Sequence, residues 1–367
     1  MRPPSLSVII SNYNDAELLP QFLQSVVDQS VQPKEIIIID DASTDNSVEI
    51  LEEFARKHSI VKFVRNKTNQ KPVICYYKIG LEMATGDFII GLGVDDIYLP
   101  DFFKKHMEIL KKHPQAGMSI GFCLIEEAGT MRLDALPPFL ANEPSYIPPE
   151  KVLQAMTNKD WFIMAHTSVW RREAVKEVRG LPMELNPYLD EFTFLMLALN
   201  YGICFIPEPL AVYSVRANTF SSNHNLDQYF KFRRKQEEFM ETSYADKFPP
   251  AFVEYHKKIT RYREGLMHLD NWSETQKNCS KYLENALPKY NFINRIFHRL
   301  YPILSNIQKS FFKLYLFLRL GRLTWTRVTQ YFHPSRKKFK TKEMPVGDIE
   351  KFIKAAQYFQ NLINQEK

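Results

Sequence analysis

Two adjacent-acid pairs and one polar run at strand ends are the groups in this chain best placed to do chemistry. The stretch "DFIIGLGVDDIYLP", residues 87–100, runs an apolar segment through Phe88-Ile89-Ile90 and sets Asp95 and Asp96 just past its end. Side-by-side carboxylates repel, and burying them costs several kcal/mol unless something positive sits between them. Such a pair is either a cation site or a solvated turn ahead of a helix starting at Pro100-Asp101, where Asp is common. Asp40-Asp41 follow the apolar run "EIIII", and Ser11-Asn12-Tyr13-Asn14 follow "LSVII". For Asp40-Asp41 the structural alternative is a cap for a helix starting near Ser43-Thr44.

These groups depend on the elements that carry them. "LSVIIS", "EIIIIDD", "IVKFVRN" and "DFIIGLG" read as four short strands. Between them "AELLPQFLQSVVDQS", "STDNSVEILEEFARKH" and "VICYYKIGLEMAT" have helical spacing. That alternation predicts βαβ units and a mostly parallel sheet with helices on both faces, which suits strands that are apolar throughout. Ligands in such sheets bind beyond the carboxyl ends of the strands, so three polar exits on one edge make a candidate site. Further on come a helix ("FFKKHMEILKKH"), a strand ("GMSIGFCLIE"), a Pro-rich loop, and "WFIMAHTSVWRREAV", read as a strand feeding a helix. "YLDEFTFLMLALNYG" reads as an apolar helix with Asp190-Glu191 in its first turn and a stop at Gly202, followed by the strand "ICFIPEPLAVYSV". Beyond residue 220 no strand pattern recurs, and the sequence is helical, aromatic and basic.

Composition is that of a globular protein, 45% apolar and 25% charged. Charge is divided unevenly: residues 1–220 carry 21 Lys/Arg against 28 Asp/Glu, and residues 221–367 carry 27 against 14. This points to a site in the first part and contact with something anionic through the second. The expected division is a catalytic domain over 1–220, a helical extension over 221–300, and a basic amphipathic tail over 301–367. In "ILSNIQKSFFKLYLFLRLGRLTW" the apolar core "LYLFL", bounded by Lys313 and Arg319, is far short of the roughly 20 residues a span needs. That stretch is read either as a helix on an anionic leaflet or as one packed on the catalytic domain. "HPSRKKFKTK", residues 333–342, is a basic linker. The scattered Cys75, Cys123, Cys204 and Cys279 are thiols of a reducing compartment rather than zinc ligands, and the chain is expected in the cytoplasm, peripheral on the membrane's inner face.

Taken in order, "LSVIISNYNDAELLPQFLQSVVDQS", "EIIIIDDASTDNSVEIL", "GLEMATGDFIIGLGVDDIYLP" and "IPEPLAVY" resemble the family 2 glycosyltransferases of GT-A fold, over about residues 5–220. The resemblance implies a nucleotide-diphospho-sugar donor, usually with UDP, and transfer to an acceptor hydroxyl with inversion. It also implies a divalent cation, Mg²⁺ or Mn²⁺, at the diphosphate, with Asp95 holding the metal and Asp96 supporting it or the ribose. Ser11 and Tyr13 stand where the first loop meets the base, and Asp41, with Asp40 less firmly, where a carboxylate accepts from the uracil ring N–H. The family's base is an acid at the start of a helix near the acceptor, which Asp190 or Glu191 can be, Asp190 favoured. The acceptor is expected to be a cell-surface glycan precursor, lipopolysaccharide or glycolipid, which a lipid could carry. No nucleic-acid partner is expected, since no motif for one is present.

The sequence departs from the family pattern at named places. Gly93 replaces the first acid of the usual D-x-D-D, and Lys78 stands where Asn is common, beside the phosphates or simply on the surface. The usual His after "PEPLAVY" is absent, with Arg216 nearby. His166 and Trp170 fall where acceptor contacts belong, or in the core. Two other readings stay open: a degenerate nucleotide-binding module without activity, which Gly93 supports, and a nucleotidyltransferase, which lacks its glycine-rich phosphate loop in "SNYNDAE".

Overall fold

The computed structural model describes residues 3–127, 130–134, 140–159, 165–179, 181–185, 189–215, 226–270, 338–340 and 349–365. The basic stretches 296–332 and 333–337, Arg216 and Cys279 lie outside the described residues. Two compact units divide the chain, one built from 1–156, 161–224 and 333–367, the other from 157–160 and 225–332.

The first unit opens with β1 (Leu6–Asn12), α1 (Leu19–Val27), β2 (Glu35–Asp40), α2 (Ser47–Lys57) and β3 (Val61–Arg65). A helical segment follows in three pieces, α3 (Pro72–Ile74), a π-helical turn Cys75–Gly80 and α4 (Leu81–Met83), leading into β4 (Phe88–Gly93) and β5 (Ile97–Tyr98). Next come α5 (Phe102–Lys112), β6 (Met118–Glu127), β7 (Thr130–Asp134), β8 (Ser145–Ile147) and α6 (Pro149–Lys159). After a short turn at Ala165–Thr167 the unit continues with β9 (Val169–Arg171), α7 (Arg172–Glu177), α8 (Leu189–Tyr201) and β10 (Ile203–Ser214). A short β11 (Lys338–Lys340) and a C-terminal helix, Ile349–Gln365, complete it.

The four N-terminal strands stand in the order β4-β1-β2-β3 and pair in parallel, as their apolar runs predict. Every residue of β2, Glu35–Asp40, is buried, which follows from helices covering both faces. Beyond β4 the sheet is mixed rather than parallel: β9 runs antiparallel between β4 and β6, β7 antiparallel to β6, and β10 parallel to β6 but antiparallel to β5 and β8. The expected parallel order therefore holds for the first half alone, because β7 follows β6 after only two residues and pairs back on it directly, with no crossover helix between them.

The core beneath the first half is Val8, Ile10, Phe22, Ile36, Ile38, Leu51, Ile90 and Leu92, joined on one side by Tyr98, Phe102 and Phe103. Glu35 ties this region together from within. Ser7 Oγ donates to it at 2.6 Å, and Thr85 donates through its backbone N–H at 2.7 Å and its hydroxyl at 2.8 Å. Lys62 on β3 completes the ion pair. Burial alone would raise the carboxyl, but these donors outweigh it and hold it at about 2.

One expectation about the C-terminal part changes: a strand does recur, since Lys338–Lys340 pairs with β7. The C-terminal helix, Ile349–Gln365, clusters with the first unit. That helix buries Phe352, Ala355, Phe359 and Ile363, spaced three or four residues apart, on a stripe that packs against β10. The second unit holds α9 (Leu226–Glu241) and α10 (Pro250–Asp270), bound to each other by a two-pronged Arg261–Glu237 pair at 3.0 and 2.6 Å. No helix among the described residues is long and apolar enough to cross a membrane.

Candidate functional site

Parallel pairing puts the carboxyl ends of β1, β2 and β4 on one edge: Asn12 stands opposite Asp40, and Ser11 opposite Gly93. The three polar runs singled out in the sequence leave the sheet together there. Tyr13 is 45% exposed just past β1, so it is no core aromatic, and its ring is open to stacking.

The two acids after β2 do different work. Asp40 is fully buried and accepts from the Asn12 amide (2.9 Å), the Ser43 N–H (3.0 Å) and the Ser43 hydroxyl (2.6 Å). It therefore fixes the turn Asp40–Ser43 against β1 and does not cap α2, which starts later, at Ser47. Asp41 accepts at one oxygen from the Asn66 amide and the Gln70 N–H, both 2.8 Å, and at the other from the Lys71 N–H at 2.8 Å. Asp41 is buried and also interacts with the Cys75 thiol, so its carboxylate is held firmly in one orientation at this edge.

The π-helical turn is the bridge between the two ends of this edge. Gly80 packs it onto β1 so tightly that a Cβ there would lie 2.3 Å from Ile9 Cγ2. Cys75 is buried against Ser11, Asp41 and Asn66. Burial pushes its thiol up to about 12, with the Asp41 charge adding to that rise. The next residue, Tyr76, reaches the other way. Its hydroxyl donates to Leu92 O at 2.6 Å, and burial together with the Asp95 and Asp96 charges raises its pKa. Lys78, on the same turn, is exposed.

Gly93 has a physical reason to be glycine. A Cβ on it would stand 2.8 Å from Asp95 Oδ1 and 3.1 Å from Asp96 Oδ2, so both carboxylates fold back over its α-carbon. Asp96 is buried; its Oδ2 meets His166 Nδ1 at 3.1 Å, while its Oδ1 has no hydrogen-bond partner among the described residues. His166, in the turn before β9, also stacks on Tyr213 with 4.5 Å between ring centres. Burial would lower its pKa, but the Asp96 carboxylate, then Asp95 and Asp190, raise it above the usual imidazole value. An unsatisfied buried carboxylate oxygen beside a second acid is a donor set that suits Mg²⁺ or Mn²⁺, which take remaining ligands from substrate phosphates and water. Among the described residues no group of three or more protein ligands gathers.

Asp190 completes the neighbourhood from the first turn of α8. It is partly buried, and its Oδ1 accepts the Glu191 N–H at 2.7 Å. Burial pushes its carboxyl from 3.8 up to about 6, the nearby Glu191 charge adding and His166 opposing. Glu191 is 7% exposed. A carboxylate poised near neutrality, sharing a field with an imidazole and two further acids, can take a proton from a hydroxyl.

The family model described as Glycosyl transferase family 2 matches residues 7–179, the segment that carries the strand-end acids and the His166 turn. Residues 7–179 are a family 2 glycosyltransferase domain. The chain is 27% identical over 280 residues to the putative glycosyltransferase EpsE of Bacillus subtilis, covering 72% of this chain and 98% of the relative. It is 39% identical over 110 residues to an uncharacterized glycosyltransferase of Haemophilus influenzae, covering 30% of this chain and 44% of the relative. The crystal structure of S. aureus TarS 1–349 in complex with UDP-GlcNAc shares the fold, with a TM-score of 0.58 at 17% identity, over 90% of this chain and 93% of that one.

The charges along this edge act on one another: Asp41 on Cys75, Asp95 and Asp96 on Tyr76, and Asp96, Asp95 and Asp190 on His166. Sequence reasoning left out Asn66, Cys75, Tyr76 and Tyr77. Asn66 stands at the exit of β3, so the rule applied to the other three strands points to it. The tyrosines give no such signal, because a π-helical turn is invisible in helical periodicity.

Proposed function

We propose that this glycosyltransferase moves a sugar, with inversion, from a UDP-type nucleotide-diphospho-sugar to a hydroxyl of a glycan acceptor in cell-surface polysaccharide synthesis. One observation carries the reading: Asp190, held near neutrality at the start of α8, shares one electrostatic neighbourhood with the Asp95–Asp96 pair. The base would lie between the Tyr13 ring and the Asp41 carboxylate, with Ser11 beneath it. Asp40 supports that loop from below. Asp95 and Asp96 would hold a divalent cation, which when bound neutralises the diphosphate as it departs. Lys78 offers a further positive charge on the same edge.

Asp190 then takes the acceptor hydroxyl proton as the oxygen attacks the anomeric carbon from the side opposite the diphosphate. The new C–O bond forms as the bond to the β-phosphate oxygen breaks, and UDP leaves with the bonding pair. Glu191, buried behind it, keeps that carboxylate basic through its charge. UDP-GlcNAc, the ligand in the TarS crystal structure, is the first donor to try.

The test is a panel of nucleotide-sugars with Mg²⁺ or Mn²⁺, read as UDP release in the presence of acceptor extracts. A donor-specific turnover that Asp190→Asn abolishes, with UDP binding intact, supports the reading. UDP binding with no turnover from any donor favours a non-catalytic module. Attachment to an anionic membrane face through residues 301–332 belongs to the same proposal. It is tested by co-sedimentation with anionic vesicles, before and after deleting those residues.

A further inference from the structure

The π-helical turn sends two consecutive tyrosines in different directions. Tyr76 is tied to the end of β4 by its hydroxyl, which donates to Leu92 O. Burial first, and then the Asp190 charge, raise the Tyr77 phenol well above its ordinary pKa. The Tyr77 ring lies parallel to that of Trp170, 5.9 Å between centres and 2° between planes. Trp170 is an anvil rather than a contact surface. It is 5% exposed, its indole N–H donates to Ser168 Oγ at 2.8 Å, and β9 pins it between Ile89 of β4 and Met118 of β6. Tyr77 by contrast is only partly buried, and its hydroxyl has no hydrogen-bond partner among the described residues.

A partly open aromatic ring, backed by a fixed indole and ending in an unspent hydroxyl, is more than core packing requires. Buried phenols ordinarily find a partner, and π-turns recur at functional positions. Pyranose rings present a face of C–H groups that stack on aromatic rings, with hydroxyls at the rim for a polar tip.

We propose that Tyr77, braced by Trp170, is the platform for the acceptor sugar, stacking on its ring and hydrogen-bonding its hydroxyls beside Asp190. The inference rests on the proposed transferase function and adds the acceptor class, a pyranose, and the residue that seats it. Tyr77 is assigned to the acceptor and not the donor sugar because it packs on Trp170 of β9, the strand after the His166 turn, and feels the Asp190 charge, while Tyr76 is spent on Leu92 O at the end of β4.

The experiment is saturation-transfer NMR on the full chain with UDP and Mg²⁺. Its probes are methyl β-D-glucopyranoside, methyl β-D-galactopyranoside and methyl N-acetyl-β-D-glucosaminide. At least one glycoside should receive saturation on its ring C–H face from the wild-type chain. Its signal should fall about three- to tenfold in Tyr77→Ala and stay largely intact in Tyr77→Phe, which keeps the ring, while UDP signals stay constant throughout. Should Tyr77→Ala fail to fold, Tyr77→Leu makes the same comparison. A glycoside signal equal in wild type and Tyr77→Ala overturns the platform, as does UDP binding with no glycoside signal; either leaves the transferase reading standing. Loss of the glycoside signal on replacing UDP by UDP-GlcNAc assigns Tyr77 to the donor sugar and overturns the acceptor assignment. A wild-type chain that binds no UDP defeats the transferase reading, and the inference with it.

Discussion

Replacing Asp190 by asparagine should make the protein more stable and inactive together, with the stabilisation confined to one side of a pH window. The folded chain raises this carboxyl from 3.8 to about 6, roughly two pK units. At about 1.4 kcal/mol per unit, keeping it ionised costs the fold at most about 3 kcal/mol, and partial solvent access reduces this to about 2 kcal/mol. Because the folded value is the higher one, the penalty is absent below 3.8, opens between 3.8 and about 6, and is complete above that. Asparagine keeps an oxygen for the Glu191 N–H, which Asp190 now accepts at 2.7 Å, so little else changes. At pH 8 the variant should melt about 3–4 °C higher than wild type, and at pH 4 the two should coincide. Activity should fall about 10²- to 10⁴-fold, the usual range for a general base. Calorimetric melts across that pH range, paired with UDP-release assays, read both. A variant no more stable at pH 8, or equally stabilised at pH 4, refutes the argument that burial has raised this carboxyl; full activity refutes its role as base.

Other expectations follow from the same contacts. Glu35→Gln should lose about 2–3 kcal/mol at pH 7, since Lys62 and the Ser7 and Thr85 donors hold the carboxyl near 2 against 4.5 unfolded; the deficit should close as pH falls from 4.5 toward 2, read by urea melts. Gly93→Ala should weaken cation-dependent UDP binding more than tenfold with little change in melting temperature, because its Cβ would stand 2.8 Å from Asp95 Oδ1. Unaltered binding there would show that the acids need not fold over that backbone. Asn66→Ala should raise the Kd for UDP about three- to tenfold without altering kcat, by removing the 2.8 Å bond that steadies Asp41. Turnover should also fall on acidification through pH 6, as Asp190 takes up its proton, and a flat profile between pH 5 and 8 would contradict that.

The half of the fold that forms the polar strand-end edge was legible because β1, β2 and β4 are apolar along nearly all their length, and each ends on or is followed within three residues by an acid or amide. Asn12, Asp41 and Asp96 leave adjacent parallel strands as that pattern requires. The second half was less legible. Its strands pair antiparallel across long sequence gaps, as in Val169–Arg171 slipping between β4 and β6, and three residues carry too little periodicity to announce a partner. Within the site, Asp40 and Asp41 are alike as residues and unlike in place, one consumed by Ser43 and the other facing the Asn66 loop, which only three-dimensional contacts reveal. His166 looked like either core or contact in an apolar run. The structure places its ring 3.1 Å from Asp96, beside the acidic pair rather than among apolar side chains alone.

Titrating UDP into the purified chain by calorimetry, with and without Mn²⁺, in wild type and in Asp95→Ala, is the most direct test of the acidic edge. The structure leads us to expect one UDP per chain, bound far more tightly with the cation present, and that dependence lost in the variant. Binding indifferent both to Mn²⁺ and to Asp95, or no binding at all, would contradict it.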